Sequence, residues 1–391
     1  MDLRLTERQE MTKKMARELA AKEIASIAAE IDETGRFPRE VITKMADAGL
    51  FGIIIPPPFG GAGSERIDFV LAVDEIAAAS ASVAFGFVIS TSTAFSILAF
   101  GSDEQRKKYL PALAKGQKLG AIAITEPSGG ANWWLTLQTK AAADGEHYVV
   151  NGSKCFTTNA GEADTYVILA RTDPAKGPMG ISALIIEKDT PGFSFGRREE
   201  KMGLRADPTA ELIFENCRVP KDNLLGQEGD GLKIASAAAS VVCAGVAAIS
   251  AGVAQAALDA TAKYTKERTV VAPMTLANLD GVQSTVADMA AAVEAARFMA
   301  YRASFPEGQG PDPFILLAAV FGTEAALDVT GKAIRLHGGY GCTKDFPVER
   351  YFRDAKVLST HPATDFVRLN AGKMLLGIPL GPPPGAGSPP R

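Results

Sequence analysis

Between residues 234 and 258 the chain carries no charged residue. This stretch constrains the fold most, because a helix of that length without charge has to be withdrawn from water. A bilayer and a bundle of neighbouring helices are the two surroundings that achieve this. The residues are mainly Ala, Ser, Val and Gly, with little Leu or Phe. Small side chains let helix backbones approach closely, which suits the centre of a bundle. The expectation is a buried helix and no membrane span.

The rest of the chain falls into three blocks around that helix. Residues 234–265, 281–303, 313–336 and 363–376 have the length and spacing of a four-helix bundle. The first third is also helical in pattern. Residues 7–31 are charged on one face and rich in Ala and Ile on the other. Pro38 sits near the first turn of a second helix, and segments 67–81 and 84–100 follow. Ser102 N-caps another helix, with Glu104 and Gln105 in its first turn. From 120 to about 215 the runs are short and often alternating. Segments 147–152, 165–170, 181–187 and 210–215 read as strands, with Asn151-Gly152 as a turn signal. The expected class is α+β. It has an N-terminal helical domain (1–119), a middle antiparallel β domain (120–230) and a C-terminal four-helix bundle (231–378). A Pro/Gly-rich tail (379–391) is expected to be disordered.

Bulk properties exclude several functions. The formal charge is −4 and no basic stripe marks a nucleic-acid surface. Cys155, Cys217, Cys243 and Cys342 form no CxxC pair, so neither a zinc site nor a disulfide framework is indicated. Three histidines are few for a metal centre. The first residues lack the apolar core of a signal peptide, and a reduced, cytoplasmic setting is expected.

Several local motifs then occur in a telling order. Residues 123–132 read AITEPSGGAN, 151–160 NGSKCFTTNA, 201–209 KMGLRADPT and 214–220 FENCRVP. Near the C-terminus stand HGGYG at 337–341 and RDAK at 353–356. In this order and spacing the chain resembles the acyl-CoA dehydrogenase superfamily over nearly its whole length. The resemblance implies a middle β-barrel domain, FAD held at subunit contacts, an acyl-CoA substrate, an electron-transfer flavoprotein or similar acceptor, and a homotetramer. It also implies roles for residues. Ile124, Thr125, Phe156, Thr158 and Thr364 would meet FAD, with Phe156 standing where the family has Trp. Arg268, Arg335, Gly338 and Gly339 would meet its pyrophosphate, Gly339 and Gly338 by close backbone approach. Thr91, Ala131, Trp133, Trp134 and Val242 would line the substrate pocket, along with the 87–95 segment. Arg353 and Asp354 read as structural pairs within the bundle.

The pattern breaks at the catalytic carboxylate. Where the family has Y-E-G-T, this chain has Thr360-His361-Pro362-Ala363-Thr364. Counting forward from Arg353 puts Pro362 at the glutamate; counting back from Lys373 puts His361 there. The segment 240–244, where some relatives carry the base instead, holds no acid either. A relocated base is one reading. His361 is the nearest candidate because imidazole titrates near neutrality, Asp365 is next, and Asp207 is more remote. A second reading is a non-standard elimination, as in the family's desulfinase, or cyclic acyl-CoA chemistry. A third is a non-catalytic partner subunit in a hetero-oligomer.

Overall fold

The computed structural model describes residues 4–130, 132–305, 312–361 and 364–378. Ala131, Pro362, the side chain of Thr364 and the 379–391 tail lie outside the described residues. The chain runs helices, sheet, helices, as expected.

Helix α1 (Glu7–Leu19) opens on a capping box in which Thr6 and Gln9 bond each other's backbone N–H. The single helix expected over 7–31 is interrupted. A π turn at Ala20–Ile24 precedes α2 (Ala28–Thr34). Ala16, Ala20, Ile24 and Ala28 are all buried, a spacing of four. That spacing drifts off one face of a regular helix, and the wider π turn restores it. Helices α3 (Arg39–Asp47), α4 (Arg66–Ala79), α5 (Ala81–Phe100) and α6 (Asp103–Ala114) follow. Ser102 and Gln105 form a second capping box at α6.

Strands β1 (Gly120–Ala123), β2 (Lys140–Asp144), β3 (His147–Thr158), β4 (Thr165–Arg171), β5 (Ile181–Glu187), β6 (Phe193–Arg198), β7 (Thr209–Pro220) and β8 (Leu224–Leu225) form one sheet. A short helix, α7 (Trp133–Thr136), lies between β1 and β2. The strand order is β6-β7-β3-β2-β4-β5-β8, with β1 on β4. The sheet is mixed rather than purely antiparallel. β1 runs parallel to β4, and β2 meets β4 in parallel at one pair. Asn151-Gly152 is not a turn. Both residues lie inside β3, at a shift of its register with β7. The Asn151 side chain accepts the backbone N–H of Asn216 at 2.8 Å. A Cβ on Gly152 would stand 2.7 Å from Thr139 Oγ1, so this glycine serves close approach. The hairpin turn is at Gly145 and Glu146, between paired Asp144 and His147.

Helix α8 (Gly231–Glu267) carries the uncharged run and packs on α4, α5, α9 (Asp280–Arg302) and α10 (Pro313–His337). Gly245 lies against Val88 of α5, where a Cβ would come within 2.5 Å, and Gly252 lies against the backbone of Asp74. Among the described residues three helices are apolar and long enough to cross a membrane, α8 among them, and 78% of its most apolar window is buried within the protein. The bundle gains α11 (Val348–Leu358), a helix the periodicity did not suggest, before α12 (Thr364–Leu375).

Candidate functional site

β1 delivers the chain into a loop over 124–130, and β3 holds that loop in place. The Cys155 N–H donates to Thr125 O at 2.9 Å. Lys154 Nζ donates to Ile124 O at 3.3 Å and to Glu126 Oε1 at 2.7 Å. The Lys154–Glu126 pair is buried. Glu126 also accepts the backbone N–H groups of Gln138 (2.5 Å) and Thr139 (3.0 Å). Burial pushes the Lys154 ammonium down to about 8 against the pull of Glu126. Burial acts upward on Glu126, but Lys154 and the surrounding donors bring it below the usual carboxylate range. Sequence reasoning missed this pair. The available signal was a lysine on the same strand face as the buried Val150, a position lysine takes only when paired.

The next residues present the surface this loop borders. The β3–β7 register shifts between Lys154 and Thr157, and Phe156 has φ 54°. A bulky residue adopts that backbone only where the surroundings impose it. The bulge turns the Phe156 ring outward, 57% exposed, beside the Thr125 loop. It is therefore not strand core. Ile124 and Thr125 are half-buried and Thr158 is buried. Thr158 Oγ1 donates to Asp207 Oδ2 at 3.3 Å. A strained, outward aromatic flanked by threonines suits a flat ring system such as a flavin, which would satisfy the exposed phenyl face.

His361 follows the end of α11, its N–H donating to Leu358 O at 2.9 Å. Its half-buried ring lies 5.3 Å from that of Phe85 on α5. Burial holds the imidazole below its ordinary pKa; Asp207 acts upward and Lys201 downward. Asp365 is not in this site. Its side chain is fully exposed, 3.7 Å from Arg368, because the first turn of α12 points it to solvent.

The expected substrate-pocket residues divide. Thr91 is buried and its hydroxyl has no partner among the described residues, and Val242 is half-buried on the facing helix. Ser92 Oγ donates to Ala238 O at 3.0 Å, and Val88 meets Gly245, so α5 and α8 touch on either side of Thr91. Phe87 belongs to the core instead, edge-on to Phe51 and Phe69 at 5.2 and 5.5 Å. Trp133 and Trp134 meet edge to face at 6.0 Å, and Trp134 packs on Phe366 of α12 at 4.9 Å. That contact ties the loop after β1 to the helix that follows Pro362.

A separate groove of about 500 Å³ opens at the end of α8 and α10. Arg268, Arg335, Gly338, Gly339 and Tyr340 are among its lining. Both arginines are exposed, and neither forms an ion pair among the described residues. Arg268 sits 5.9 Å from the Tyr340 ring. Gly338 needs its glycine for a φ of 62°. A Cβ on Gly339 would meet nothing within 4 Å, so packing inside this chain does not require that glycine. Two unpaired guanidinium groups beside bare backbone suit a pyrophosphate. Arg353 is structural: it bonds Asp32 at 2.6 and 3.1 Å and Glu349 at 2.7 and 3.0 Å. Asp354 is buried and accepts the Leu204 N–H at 2.6 Å.

Comparison with known proteins agrees with this geometry. Three domain families match: the acyl-CoA dehydrogenase N-terminal domain over residues 6–117, the middle domain over 121–217 and the C-terminal domain over 229–365. The short-chain specific acyl-CoA dehydrogenase of Clostridium acetobutylicum is 43% identical over 372 residues, covering 94% of this chain and 97% of that protein. Butyryl-CoA dehydrogenase from Megasphaera elsdenii superposes with a TM-score of 0.93 at 37% identity, covering 96% of this chain and all of that one. A chain in the solved electron transferring flavoprotein of Acidaminococcus fermentans gives a TM-score of 0.94 at 42% identity, covering 96% of this chain and 100% of its own. This chain belongs to the acyl-CoA dehydrogenase family.

Proposed function

We propose that the protein is an FAD-dependent oxidoreductase of short acyl-CoA thioesters in which His361 takes the place of the missing carboxylate. The observation that carries this reading is the outward, strained Phe156 held beside the anchored Thr125 loop. Thr125, Phe156 and Thr158 would hold the flavin ring; Arg268, Arg335, Gly338 and Gly339 would hold a pyrophosphate. When bound, FAD supplies a two-electron acceptor for the hydride from the substrate β-carbon. The chain's own contribution is to move the α-proton. A thioester carbonyl makes that proton acidic, and a half-buried neutral imidazole is ready to accept it. The proton leaves the α-carbon for the ring nitrogen of His361, forming an imidazolium.

Two features favour a short acyl chain. α5 and α8 close on each other through Val88 and Gly245, and the relatives above are named for short substrates. An electron-transfer flavoprotein is the favoured acceptor, in line with the Acidaminococcus match. A homotetramer is favoured by the exposed rings of Phe298 on α9 and Phe314 and Phe321 on α10, an apolar face suited to a second copy. A cytoplasmic setting completes the reading. A partner subunit without turnover is disfavoured, because relatives matched over nearly the whole chain are named as dehydrogenases.

The test is optical. The purified protein should show a flavin band that butyryl-CoA bleaches anaerobically, and His361→Ala should slow bleaching while leaving the band. A colourless protein that takes up no added FAD refutes the reading.

A further inference from the structure

A buried carboxylate whose charge acts on His361 has half of its bonding capacity unused. Asp207 is buried at 2% exposure on the turn before β7. Its Oδ2 accepts from Lys201 Nζ at 3.0 Å and from the hydroxyls of Thr158 and Thr209, both at 3.3 Å. Its Oδ1 is buried and has no hydrogen-bond partner among the described residues. Neither has Asn159 Oδ1, and both lie within 4 Å of the position a Cβ on Gly86 would take. Two unpaired buried acceptors set against the backbone of Gly86 are a cost to the fold that calls for an explanation. Gly86 directly follows Phe85, whose ring lies 5.3 Å from that of His361. In the motif that this region resembles, K-x-G-x-R-x-S-x-T, residue 207 is a serine. The chain thus lacks a carboxylate at both His361 and Pro362 and holds an extra one at 207.

We propose that Asp207 is the positioning carboxylate of His361, its free Oδ1 stabilising the imidazolium that forms when His361 takes the substrate α-proton. Asp207 does not itself take the proton. It acts through the imidazole, as an acidic neighbour stabilises the charged form of histidine. The charged groups bearing on His361 are Asp207 and Lys201, with opposite signs. This inference rests on the reading of His361 as the base.

The test uses the FAD-loaded protein labelled with ¹⁵N-histidine. The chain has three histidines, so the imidazole signals of His147, His337 and His361 are few, and His361→Gln assigns the third. Asp207→Asn should lower the His361 titration midpoint by about 1 pH unit. Lys201→Gln should raise it, and His147 should not move in either variant. Opposite signs separate an electrostatic role from general disruption. Asp207→Ser, the residue of the family motif, serves if the Asn variant folds poorly, and it should also lower the midpoint. A midpoint unmoved by Asp207→Asn, or moved the same way by both substitutions, overturns the proposal alone. The pH limb of flavin bleaching is followed in parallel. If the imidazole shifts and that limb does not, His361 is not the base and both readings fall.

Discussion

Lys154→Met tests whether the buried ion pair holds the loop that shapes the site. Lys154 and Glu126 are 0% and 5% exposed with 2.7 Å between their charged atoms. Removing one partner of a buried pair strands the other charge, at a typical cost of about 3–5 kcal/mol. Glu126 keeps two backbone donors, from Gln138 and Thr139, so the lower end of that range, about 3 kcal/mol, applies. Ile124 O also loses the Lys154 donor, which frees the segment bearing Thr125. The double variant Glu126→Gln/Lys154→Met leaves no stranded charge and should be about 1–2 kcal/mol more stable than Lys154→Met. Urea denaturation followed by tryptophan fluorescence is the assay. The chain's two tryptophans, Trp133 and Trp134, both lie just beyond this loop. A loss below about 1 kcal/mol in Lys154→Met, or a double variant less stable than the single, refutes the reasoning.

Three further outcomes follow from other contacts. Burial raises the Asp354 carboxyl from 3.8 to about 6. The stability it contributes is therefore full below pH 3.8 and is lost as pH rises through 6. Asp354→Asn keeps an acceptor for the Leu204 N–H and should fare better against the parent at about pH 7.5 than at about pH 4.5, by about 2 kcal/mol in denaturant titrations. Arg268→Ala and Arg335→Ala should each weaken flavin retention about tenfold or more, read by absorbance after gel filtration, with little change in the melting temperature of the flavin-free protein, because neither arginine forms an ion pair among the described residues. Gly245→Ala places a methyl 2.5 Å from Val88. It should destabilise by about 1–3 kcal/mol, with part of the loss recovered by Val88→Ala in thermal denaturation.

The fold was legible because its strongest signals are local. Serine at 102 and glutamine at 105 cap α6 wherever the helix goes, and the uncharged run of α8 admits only burial. What the sequence hid depends on contacts between distant segments. Asn151-Gly152 carries turn chemistry, yet Thr139 and Asn216 recruit it into β3. Lys154 looks like a surface residue until Glu126 is brought beneath it. α11 escaped notice because its residues were read for motif identity instead of period. At the site, Arg268 and Gly339 line one groove at the end of α8 and α10. Asp365 stood second to His361 as a candidate base, and the first turn of α12 leaves its side chain fully exposed. Phe87 looked like pocket lining, but Phe51 and Phe69 claim it for the core.

The charge of the site ties the sequence's two departures together. A glutamate base starts at −1 and ends neutral after it takes a proton. A histidine starts neutral and ends at +1, and in a half-buried place near Lys201 that end state is unfavourable. Replacing glutamate by an imidazole alone would therefore stall proton transfer at its product. A serine-to-aspartate difference at 207 supplies the missing unit of negative charge. The pair His361 and Asp207 then starts at −1 and ends at 0, the same course that a glutamate and a serine follow. The charge presented to a reacting thioester is thereby preserved while the group that moves the proton changes.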